Sequence, residues 1–364
     1  MNINVVIKPA GQCNFVCKYC YNEEGESKIM TRKTLKRMVS ELFDYVKQMG
    51  PEARLTFIWH GGEPMLAGID FFQEALSLQK QYSEGRDVIY SNAIQTNGSL
   101  ITEKWANFFL VNNFDTSVSL DGPKEIHNKA RVYRNDVGTF DQVMHGINHL
   151  KKLNVKFGVV SVVSKIAKDY VDEIYDFFSH ENLSFHIVPL AKLGRAVNNF
   201  EDLSISPDDY AAFWIKMYDK WMLSQDQQYV YCKDFVNQSA TILTGKSSDC
   251  ASLSQCACSN LSIDSSGNVF PCGMLTSRSN WCYGNITKEK LTKIMGNASC
   301  IKTQNRKKDK TCAKCEWERI CHGGCFARAE GYFGSADNKD YYCTGLKKIY
   351  QHVTLRLKEK GLID

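Results

Sequence analysis

Residues 3–20 read INVVIKPAGQCNFVCKYC, a β-rich run followed by a loop that carries Cys13, Cys17 and Cys20. Three residues separate the first two cysteines and two separate the last two. Three thiolates on one loop can hold three irons of a four-iron, four-sulfur cluster and leave the fourth iron open to a substrate ligand. A zinc knuckle is the alternative, but structural zinc takes four protein ligands and no nearby Cys or His completes the set. The stretch therefore predicts a cluster loop directly after a first β-strand.

Around this loop the chain alternates short β-rich runs with longer amphipathic ones. Predicted helices cover 31–49, 69–82, 102–111, 139–153 and 167–181. Predicted strands cover 3–8, 55–60, 88–95, 115–120, 156–163 and 185–190. Six such units predict an α/β fold, a partial (β/α)6 barrel resembling a TIM barrel, with the functional loops at the carboxyl ends of the strands.

The cysteines divide the rest of the chain. Of 15 cysteines, three lie in the front loop and twelve lie between Cys232 and Cys343. Disulfides do not persist in a reducing compartment, so metal binding explains such a cluster better. We predict a barrel over residues 1–200, a helical linker over 201–248 that contains an aromatic-rich helix at 208–223, and a cysteine-rich domain over 249–364.

Composition limits the partners. The chain has 364 residues, a formal charge of +5 and 43% hydrophobic residues, without a low-complexity tract. No run approaches the ~18 apolar residues of a membrane span, and the first residues lack the order of a secretion signal. The basic run at 306–310 is typical of a solvated turn. We expect a cytoplasmic protein that binds neither nucleic acid nor membrane.

Three more motifs follow predicted strands in order. Residues 61–64 read GGEP, 95–98 read QTNG and 119–123 read SLDGP, and His127 and Arg131 come after the last of them. Glycines let the backbone approach a ligand, and a carboxylate can pair with an ammonium group. Together with the Cys-x3-Cys-x2-Cys loop, these motifs resemble the radical S-adenosylmethionine (SAM) superfamily, in which GGEP binds the amino group of the methionine moiety of SAM.

The resemblance implies that the open iron chelates SAM, and that one-electron reduction yields a 5′-deoxyadenosyl radical that takes a hydrogen atom from the substrate. The protein would position the reactants and exclude water. The residues that we expect to contact SAM are Tyr19, Gly61, Gly62, Glu63, Pro64, Gln95, Asn97, Ser119, Asp121, Arg131 and Leu190.

The rear cysteines resemble the SPASM extension, the twin-cluster domain of peptide-modifying radical enzymes. By this resemblance the first auxiliary cluster is held by Cys250, Cys256, Cys272 and Cys325, and the second by Cys312, Cys315, Cys321 and Cys343. The chain would then hold three [4Fe-4S] clusters, the rear two serving electron transfer. A pair of zinc ribbons is the alternative, because Cys-x2-Cys is common to both chemistries. Four cysteines are left as buried or free thiols, namely Cys232, Cys258, Cys282 and Cys300.

The overall layout is similar to the anaerobic sulfatase-maturating enzymes, which oxidise a Cys or Ser of a sulfatase to formylglycine. In that family a carboxylate that serves as the base follows the auxiliary cysteine in a Pro-Cys-Asp pattern, whereas this chain reads Pro271-Cys272-Gly273. Residues 59–64, WHGGEP, instead resemble maturases of ribosomally made peptides, including those that form cyclophanes. His60 ends a strand beside the SAM motif, and we predict that it contacts substrate or acts as the base; a packed or SAM-orienting histidine is the alternative.

The sequence-based ranking places a peptide maturase that forms a carbon–carbon crosslink first. A sulfatase-maturating enzyme is second, and an electron-transfer or zinc-binding structural protein is third. The expected partners are a precursor peptide, or a sulfatase, and a reductant such as a flavodoxin. Since the first strand begins near residue 2, leader-peptide binding would use the barrel surface or a separate protein.

Overall fold

Parallel strands alternate with helices through the first half of the computed structural model. The structure describes residues 2–22, 28–224, 230–247, 249–253, 256–276 and 278–364. The strands are β1 (Asn2–Ala10), β2 (Arg54–Gly61), β3 (Ile89–Thr96), β4 (Asp115–Ser119), β5 (Phe157–Val163), β6 (Phe185–Pro189), β7 (Asn260–Ile263), β8 (Asn268–Phe270) and β9 (Gly284–Asn285). All belong to one sheet in the order β6-β5-β4-β3-β2-β1-β7-β8-β9.

The helices flank and extend this sheet. Those of the first half are α1 (Arg32–Lys47), α2 (Ile69–Ser83), α3 (Glu103–Val111), α4 (Lys124–Ala130), α5 (Phe140–Lys152) and α6 (Val171–His180). Those that follow β6 are α7 (Phe200–Leu203), α8 (Pro207–Leu223), α9 (Lys233–Thr244), α10 (Cys256–Ser259), α11 (Leu291–Met295), α12 (Ala298–Gln304), α13 (Glu318–Cys321), α14 (Phe326–Phe333) and α15 (Cys343–Glu359).

The predicted partial barrel is confirmed. Strands β1 to β6 pair in parallel with their sequence neighbours, which is what alternating strand and helix units produce. Alternation along β2 shows the layering: Leu55, Phe57 and Trp59 are fully buried beneath the helices, whereas Ile58 and His60 on the other face are half-buried. The sheet thus directs one row of side chains into the hydrophobic core and the other into the barrel interior.

The cysteine-rich part is joined to the barrel through the sheet. Strand β7 pairs in parallel with β1, with Val5 opposite Leu261, and β8 and β9 continue antiparallel from there. This connection brings the segment after β8, which includes Cys272, beside the interior face of β1. The predicted domain boundaries stay a prediction, but the sheet itself crosses the one at 249.

The C-terminal helix closes the linker region. Helix α15 packs on α8 and α9, and Arg356 of α15 binds Asp219 of α8 through two hydrogen bonds of 2.8 and 2.9 Å. The aromatic residues that were predicted for α8, such as Trp214 and Tyr218, are buried and stack at 5.2 Å between ring centroids. No helix among the described residues has the length and apolar character needed to cross a bilayer.

Candidate active site

The front cysteine loop is fixed to the barrel by its backbone. The amide of Val16 donates to Val132 O at 2.8 Å, that of Lys18 donates to Ala130 O at 2.9 Å, and Arg195 Nη1 donates to Cys17 O at 3.2 Å. These bonds hold the loop between the segment that follows α4 and the segment that follows β6. The loop conformation is therefore set by contacts distant in sequence.

Cys13, Cys17 and Cys20 converge, since the charge of each of the last two affects the first. Burial raises the pKa of the Cys13 thiol to about 12 and that of the Cys17 thiol to about 11. Such thiols deprotonate when a cationic metal centre binds them. The arrangement fits a three-thiolate cluster loop, and the three ligands stay predictions.

The GGEP motif packs directly against the start of this loop. The amide of Gly62 donates to Ala10 O at 3.1 Å and that of Glu63 donates to Gln12 O at 2.9 Å. A Cβ on Gly62 would lie 2.1 Å from Gln12 O, so only glycine allows this approach. Pro64 begins a short 3-10 helix, Pro64–Ala67, at the same turn.

Glu63 is buried and its carboxylate is used inside the protein. One oxygen accepts from Met65 N at 3.1 Å and from Thr96 Oγ1 at 2.7 Å, and the other accepts from Asn97 N at 2.8 Å. Burial raises its pKa to about 7. The side chain therefore joins the GGEP turn to the end of β3, which is a structural role that the sequence motif did not reveal.

The ends of β3 and β4 meet as predicted. Gln95 Nε2 donates to Ser119 Oγ at 3.0 Å. Asn97 Nδ2 donates to Asn14 Oδ1 at 2.8 Å and lies 3.7 Å from Cys13 Sγ. The structure thus brings three of the predicted SAM contacts to the mouth of the barrel, next to the cysteine loop.

Tyr19, Asp121 and Arg131 form a buried network below the loop. The Tyr19 hydroxyl donates a hydrogen bond to one carboxylate oxygen of Asp121, and Arg131 Nε donates to the same oxygen at 3.1 Å. The other oxygen accepts from Val162 N at 3.0 Å. The Arg131 guanidinium also lies 5.2 Å from the Tyr19 ring centroid. These partners support the loop from beneath; direct contact of the three residues with SAM stays a prediction.

His60 lies at the carboxyl end of β2, facing the barrel interior. Its Nε2 is 3.1 Å from Tyr21 Oη, and its Nδ1 is buried, with only the Gly61 backbone as a weak hydrogen-bonding contact of the ring. Burial, reinforced by the positive charge of Lys8, lowers the pKa of His60 to about 4, so the imidazole is neutral at pH 7. A neutral imidazole has one unprotonated ring nitrogen, which is able to accept a proton.

Lys8 and Tyr21 were not singled out from the sequence. Lys8 Nζ donates to Asn22 Oδ1 at 2.5 Å, and Asn22 Nδ2 donates to Gly61 O at 2.8 Å, so β1, the cysteine loop and β2 are tied together. Tyr21 lies within electrostatic reach of both Cys20 and Cys272. The signal for Lys8 was a lone charge in an otherwise apolar strand, which is rarely buried without a role.

The rear cysteines separate into the two sets that were predicted. The charges of Cys250, Cys272 and Cys325 all raise the pKa of Cys256, so these four cysteines lie near one another. Cys312, Cys315, Cys321 and Cys343 line one cavity of about 110 Å³. The grouping agrees with two four-thiolate sites, and the ligand assignment stays a prediction. Of the remaining cysteines, Cys232 and Cys300 are fully buried.

A single-ion site is not visible in the part of the chain that the structure describes: no three Cys, His, Asp or Glu side chains there converge on one metal position. In an iron–sulfur cluster each thiolate binds a different iron, so the thiolates stand further apart than the ligands of one zinc ion.

Leu190 ends the barrel and contacts the rear domain through its carbonyl. Tyr332 Oη donates to Leu190 O at 3.1 Å and Tyr342 Oη donates to it at 2.9 Å. The Leu190 side chain is buried, and its contact with SAM stays a prediction.

Comparison with known proteins covers nearly the whole chain. Residues 7–178 match the radical SAM superfamily, and residues 255–316 match the iron–sulfur cluster-binding domain SPASM. A cysteine-type anaerobic sulfatase-maturating enzyme of Clostridium perfringens is 32% identical, over 98% of this chain and 97% of that protein. The cysteine-type enzyme of Clostridium novyi is 30% identical, over 96% and 95%, and the serine-type enzyme of Bacteroides thetaiotaomicron is 28% identical, over 96% and 89%.

Solved structures agree with these relatives. The sulfatase-maturating enzyme anSMEcpe with bound AdoMet and Cp18Cys peptide has a TM-score of 0.86 at 29% identity, covering 99% of this chain and 98% of that one. Streptococcus suis SuiB bound to precursor peptide SuiA has a TM-score of 0.65 at 16% identity, covering 94% and 76%. The second similarity shows a shared fold alone.

The predicted crosslinking of a precursor peptide is wrong, because the similar proteins of full length are sulfatase-maturating enzymes. The motif at residues 59–64 and Gly273 had favoured the crosslinking interpretation, and Trp59 of that motif is a core residue. Its side chain is buried beneath the helices, and its Nε1 donates to Asn92 Oδ1 at 2.8 Å. Trp59 therefore serves the packing of the core, and its identity does not indicate which reaction the protein catalyses.

Proposed function

Because this chain belongs to the anaerobic sulfatase-maturating enzymes, a family of radical SAM proteins, we propose that it oxidises a cysteine of a sulfatase to formylglycine. The chain is an oxidoreductase that acts on a protein side chain with S-adenosylmethionine and [4Fe-4S] clusters as cofactors. The observation that carries the proposal is the match over nearly the full length to cysteine-type enzymes at 30 and 32% identity. The serine-type relatives, at 26 and 28%, make serine the second candidate target.

The conversion of cysteine to formylglycine is a two-electron oxidation followed by hydrolysis. The cysteine side chain loses two hydrogens to become a thioaldehyde, and water then replaces sulfur by oxygen and releases hydrogen sulfide. When bound, the SAM and cluster cofactors supply the radical that removes one hydrogen atom and the acceptor for the second electron. The second hydrogen leaves as a proton, and this proton needs a base.

The residue after Cys272 does not supply this base, since Gly273 has no side chain. Its position faces the interior of the barrel: a Cβ there would lie 3.1 Å from Val6 Cγ1. A carboxylate at this position would press against Val6. The base must therefore come from another element.

We assign the base to His60. It is neutral near pH 7, and the charges of both the front cysteine Cys20 and the auxiliary cysteine Cys272 act on its partner Tyr21, so we place the substrate side chain near this pair. Tyr21 would orient the ring through the 3.1 Å contact with Nε2. Lys8 would then oppose a second positive charge on the ring and so favour rapid release of the proton.

The front cluster also needs a reductant. We propose a small electron-transfer protein of the flavodoxin type, on family resemblance. The ligand assignment for the front loop predicts that Cys17→Ala abolishes cleavage of SAM and leaves the rear clusters occupied. Cleavage by a fully folded Cys17→Ala protein would refute the assignment.

The function is tested with anaerobically reconstituted protein, SAM, dithionite and a peptide that spans the modified cysteine of a sulfatase. We expect an aldehyde in place of the thiol, detected by mass spectrometry and by capture with a hydrazide. The matched control is the same peptide with serine at the target. SAM cleavage without an aldehyde in either peptide would contradict the proposal, as would a stable product in which the cysteine is joined to a second residue and keeps its sulfur.

A further inference from the structure

A buried ion pair lies between the two auxiliary cysteine sets. Arg328 Nε donates to the two oxygens of Asp340 at 3.0 and 3.1 Å. The Asp340 side chain is 1% exposed and that of Arg328 is 11% exposed. Neither residue belongs to the barrel, and neither has a part in the proposed oxidation of the substrate. Burial of an ion pair costs desolvation energy, so a functional reason for this position is expected.

Asp340 contacts the ligand segments of both sets. Its carboxylate accepts from Cys325 N at 2.8 Å, and Cys325 belongs to the first set. Its backbone carbonyl accepts from Cys343 N at 3.0 Å, and Cys343 belongs to the second. Asp340 also lines the cavity of the second set, and its amide donates to Gly323 O at 3.2 Å, in the turn between Cys321 and Cys325.

The turn is shaped around this carboxylate. Gly324 has a φ of +70°, and a Cβ there would lie 2.5 Å from Asp340 Cβ and 2.8 Å from its Oδ2. A side chain at Gly324 would displace the carboxylate, so this turn and the position of Asp340 depend on each other. The three residues between Cys321 and Cys325 thus form a bridge that holds one ligand of each set at a fixed separation.

Charge is the second feature of the pair. Reduction of a cluster adds a negative charge, and its potential depends on nearby charges, on hydrogen bonds to its ligands and on burial. Arg328 lies within electrostatic reach of Cys325 and of Cys250. The Asp340 charge reaches Cys325 and Cys321, one ligand from each set. Removal of either partner would therefore leave an uncompensated buried charge close to both clusters.

Other charges surround the same sites. Lys8 faces Cys272, and the charge of His186, whose Nδ1 is 2.8 Å from Asp234 Oδ1, reaches Cys250. The charges of Lys339 and Lys347 reach Cys343. Asp340 differs from these groups in that it accepts hydrogen bonds from the amides of both Cys325 and Cys343.

We propose that the Arg328–Asp340 pair is a positioning element that sets the reduction potentials of the two auxiliary clusters jointly. Its place between them gives both clusters one shared electrostatic environment. The significance for electron removal from the substrate rests on the proposed function. The effect on the potentials does not, because it is measured on the protein without substrate.

The test is an EPR-monitored redox titration of the reconstituted full-length protein. Signals of the auxiliary clusters are those that the Cys17→Ala protein retains. We expect Arg328→Gln to lower both auxiliary potentials, because it leaves the Asp340 carboxylate uncompensated, and Asp340→Asn to raise both. The Arg328→Gln/Asp340→Asn protein should return toward the parent. Arg328→Lys, which keeps the charge, should shift the potentials less than Arg328→Gln.

The matched control is Arg356→Gln, which breaks an ion pair with Asp219 on a helix outside the cluster region. It should leave both potentials unchanged. If Asp340→Asn loses iron, the comparison of Arg328→Gln with Arg328→Lys decides the matter. Equal shifts in those two proteins, shifts confined to one cluster, or potentials unchanged at full iron content would each overturn the proposal. Failure of the sulfatase-peptide assay would not affect this outcome.

Discussion

Single residues around the active site divide into those that hold the site and those with a free polar atom. Glu63, Asp121 and Asn97 have their polar atoms engaged by other protein groups. The buried Nδ1 of His60 has no side-chain partner, and the Gly61 backbone is only a weak contact of the ring. An unpaired buried polar atom is costly, so it persists where a ligand or a reaction uses it. This contrast favours His60 as the residue that exchanges a proton.

The His60→Gln variant should separate the cleavage of SAM from the formation of formylglycine. Glutamine has a similar reach and keeps a hydrogen bond to Tyr21, but it cannot accept a proton. We expect formylglycine formation to fall by about 10²–10⁴-fold, the usual contribution of a general base. Cleavage of SAM should stay near the parental rate and become uncoupled from product, as measured by the ratio of 5′-deoxyadenosine to aldehyde.

The control for His60 is His145→Gln, at an exposed site on α5, which should leave this ratio unchanged. A His60→Gln protein that forms product at the parental rate would remove His60 from the mechanism. Loss of SAM cleavage together with product would instead indicate a role in SAM binding.

His127 makes stability depend on pH. Its Nδ1 accepts from Asp121 N at 3.3 Å, its Nε2 lies 3.0 Å from Thr139 Oγ1, and burial lowers its pKa to about 4. In the unfolded chain His127 binds a proton near pH 6.5, whereas in the folded chain it does so only near pH 4. The contribution of neutral His127 to the free energy of unfolding is therefore complete above pH 6.5 and is lost as the pH falls toward 4. The loss from pH 7 to pH 5 amounts to about 2 kcal/mol.

Urea denaturation at pH 7 and pH 5 measures this effect. His127→Gln should be less stable than the parent at pH 7, because the hydrogen bond from Asp121 N is disturbed, and its decrease toward pH 5 should be smaller by about 2 kcal/mol. An equal decrease in both proteins would show that His127 does not titrate in this way.

At the scale of elements, the site depends on close approach of backbones at strand ends. The GGEP turn after β2 lies against residues 10–12 at the end of β1, and Gly61 has a φ of +119°. This approach puts the predicted SAM motif beside Cys13. Neither strand alone defines the site, which exists because β1 and β2 are parallel neighbours.

Gly62→Ala should therefore disrupt SAM binding. The new Cβ would lie 2.1 Å from Gln12 O, which is backbone and cannot move aside without displacing the cysteine loop. We expect at least a tenfold weaker affinity for SAM, the equivalent of about 1.4 kcal/mol, in equilibrium dialysis. Gly158→Ala is the matched control, because its nearest atom, Ser184 O, is 3.4 Å away. Equal affinity in Gly62→Ala and parent would contradict the argument.

At the scale of the whole molecule, two kinds of core hold the chain together. The barrel and the linker helices share one extensive hydrophobic core, which includes Phe43, Trp59 and Phe235. A second, small cluster lies among the rear cysteines and contains Leu193, Leu275 and Phe326. Helices α11 and α15 belong to the extensive core, but the segment around α14 depends mainly on the small one. Such a small core does not offset the conformational entropy of that segment, so the clusters must contribute to its folding.

Removal of iron should therefore destabilise the cysteine-rich region more than the barrel. We expect hydrogen exchange to show lost protection in α13 and α14, while β2 to β5 keep theirs. Helix α15 should also stay protected, because it packs on α8 and α9. Uniform loss of protection over the chain, or none, would contradict this division.

Single cysteine variants refine the same prediction. Cys250→Ala should lose one auxiliary cluster, whereas Cys258→Ala, a cysteine of the same region that is not an expected ligand, should keep all iron. Iron analysis of the two proteins gives the comparison. Loss of iron from Cys258→Ala would revise the ligand set.

The sequence alone determined the partial barrel and the loop positions, and family resemblance suggested the two rear cysteine groups. The barrel could be predicted because strand and helix periods are local, whereas each rear group combines distant segments, such as Cys272 with Cys325, which no spacing rule pairs. The sequence also suggested the right branch of chemistry and then ranked the wrong product first, because Gly273 stands where a carboxylate base was expected and the motif at residues 59–64 resembles peptide maturases, and neither short pattern identifies the product.

Only the tertiary structure decided which distant groups meet. The pairing of β7 with β1 brings Cys272 and Gly273 beside Lys8, and the turn at Gly324 sets Asp340 between two cysteine sets. The structure also shows that Glu63 joins the GGEP turn to the end of β3 and that Asp121 binds Tyr19 of the cysteine loop, while the SAM contacts of both residues stay predictions. Such roles depend on contacts across tens to hundreds of residues. No local pattern encodes these contacts, because they form only when the sheet has assembled.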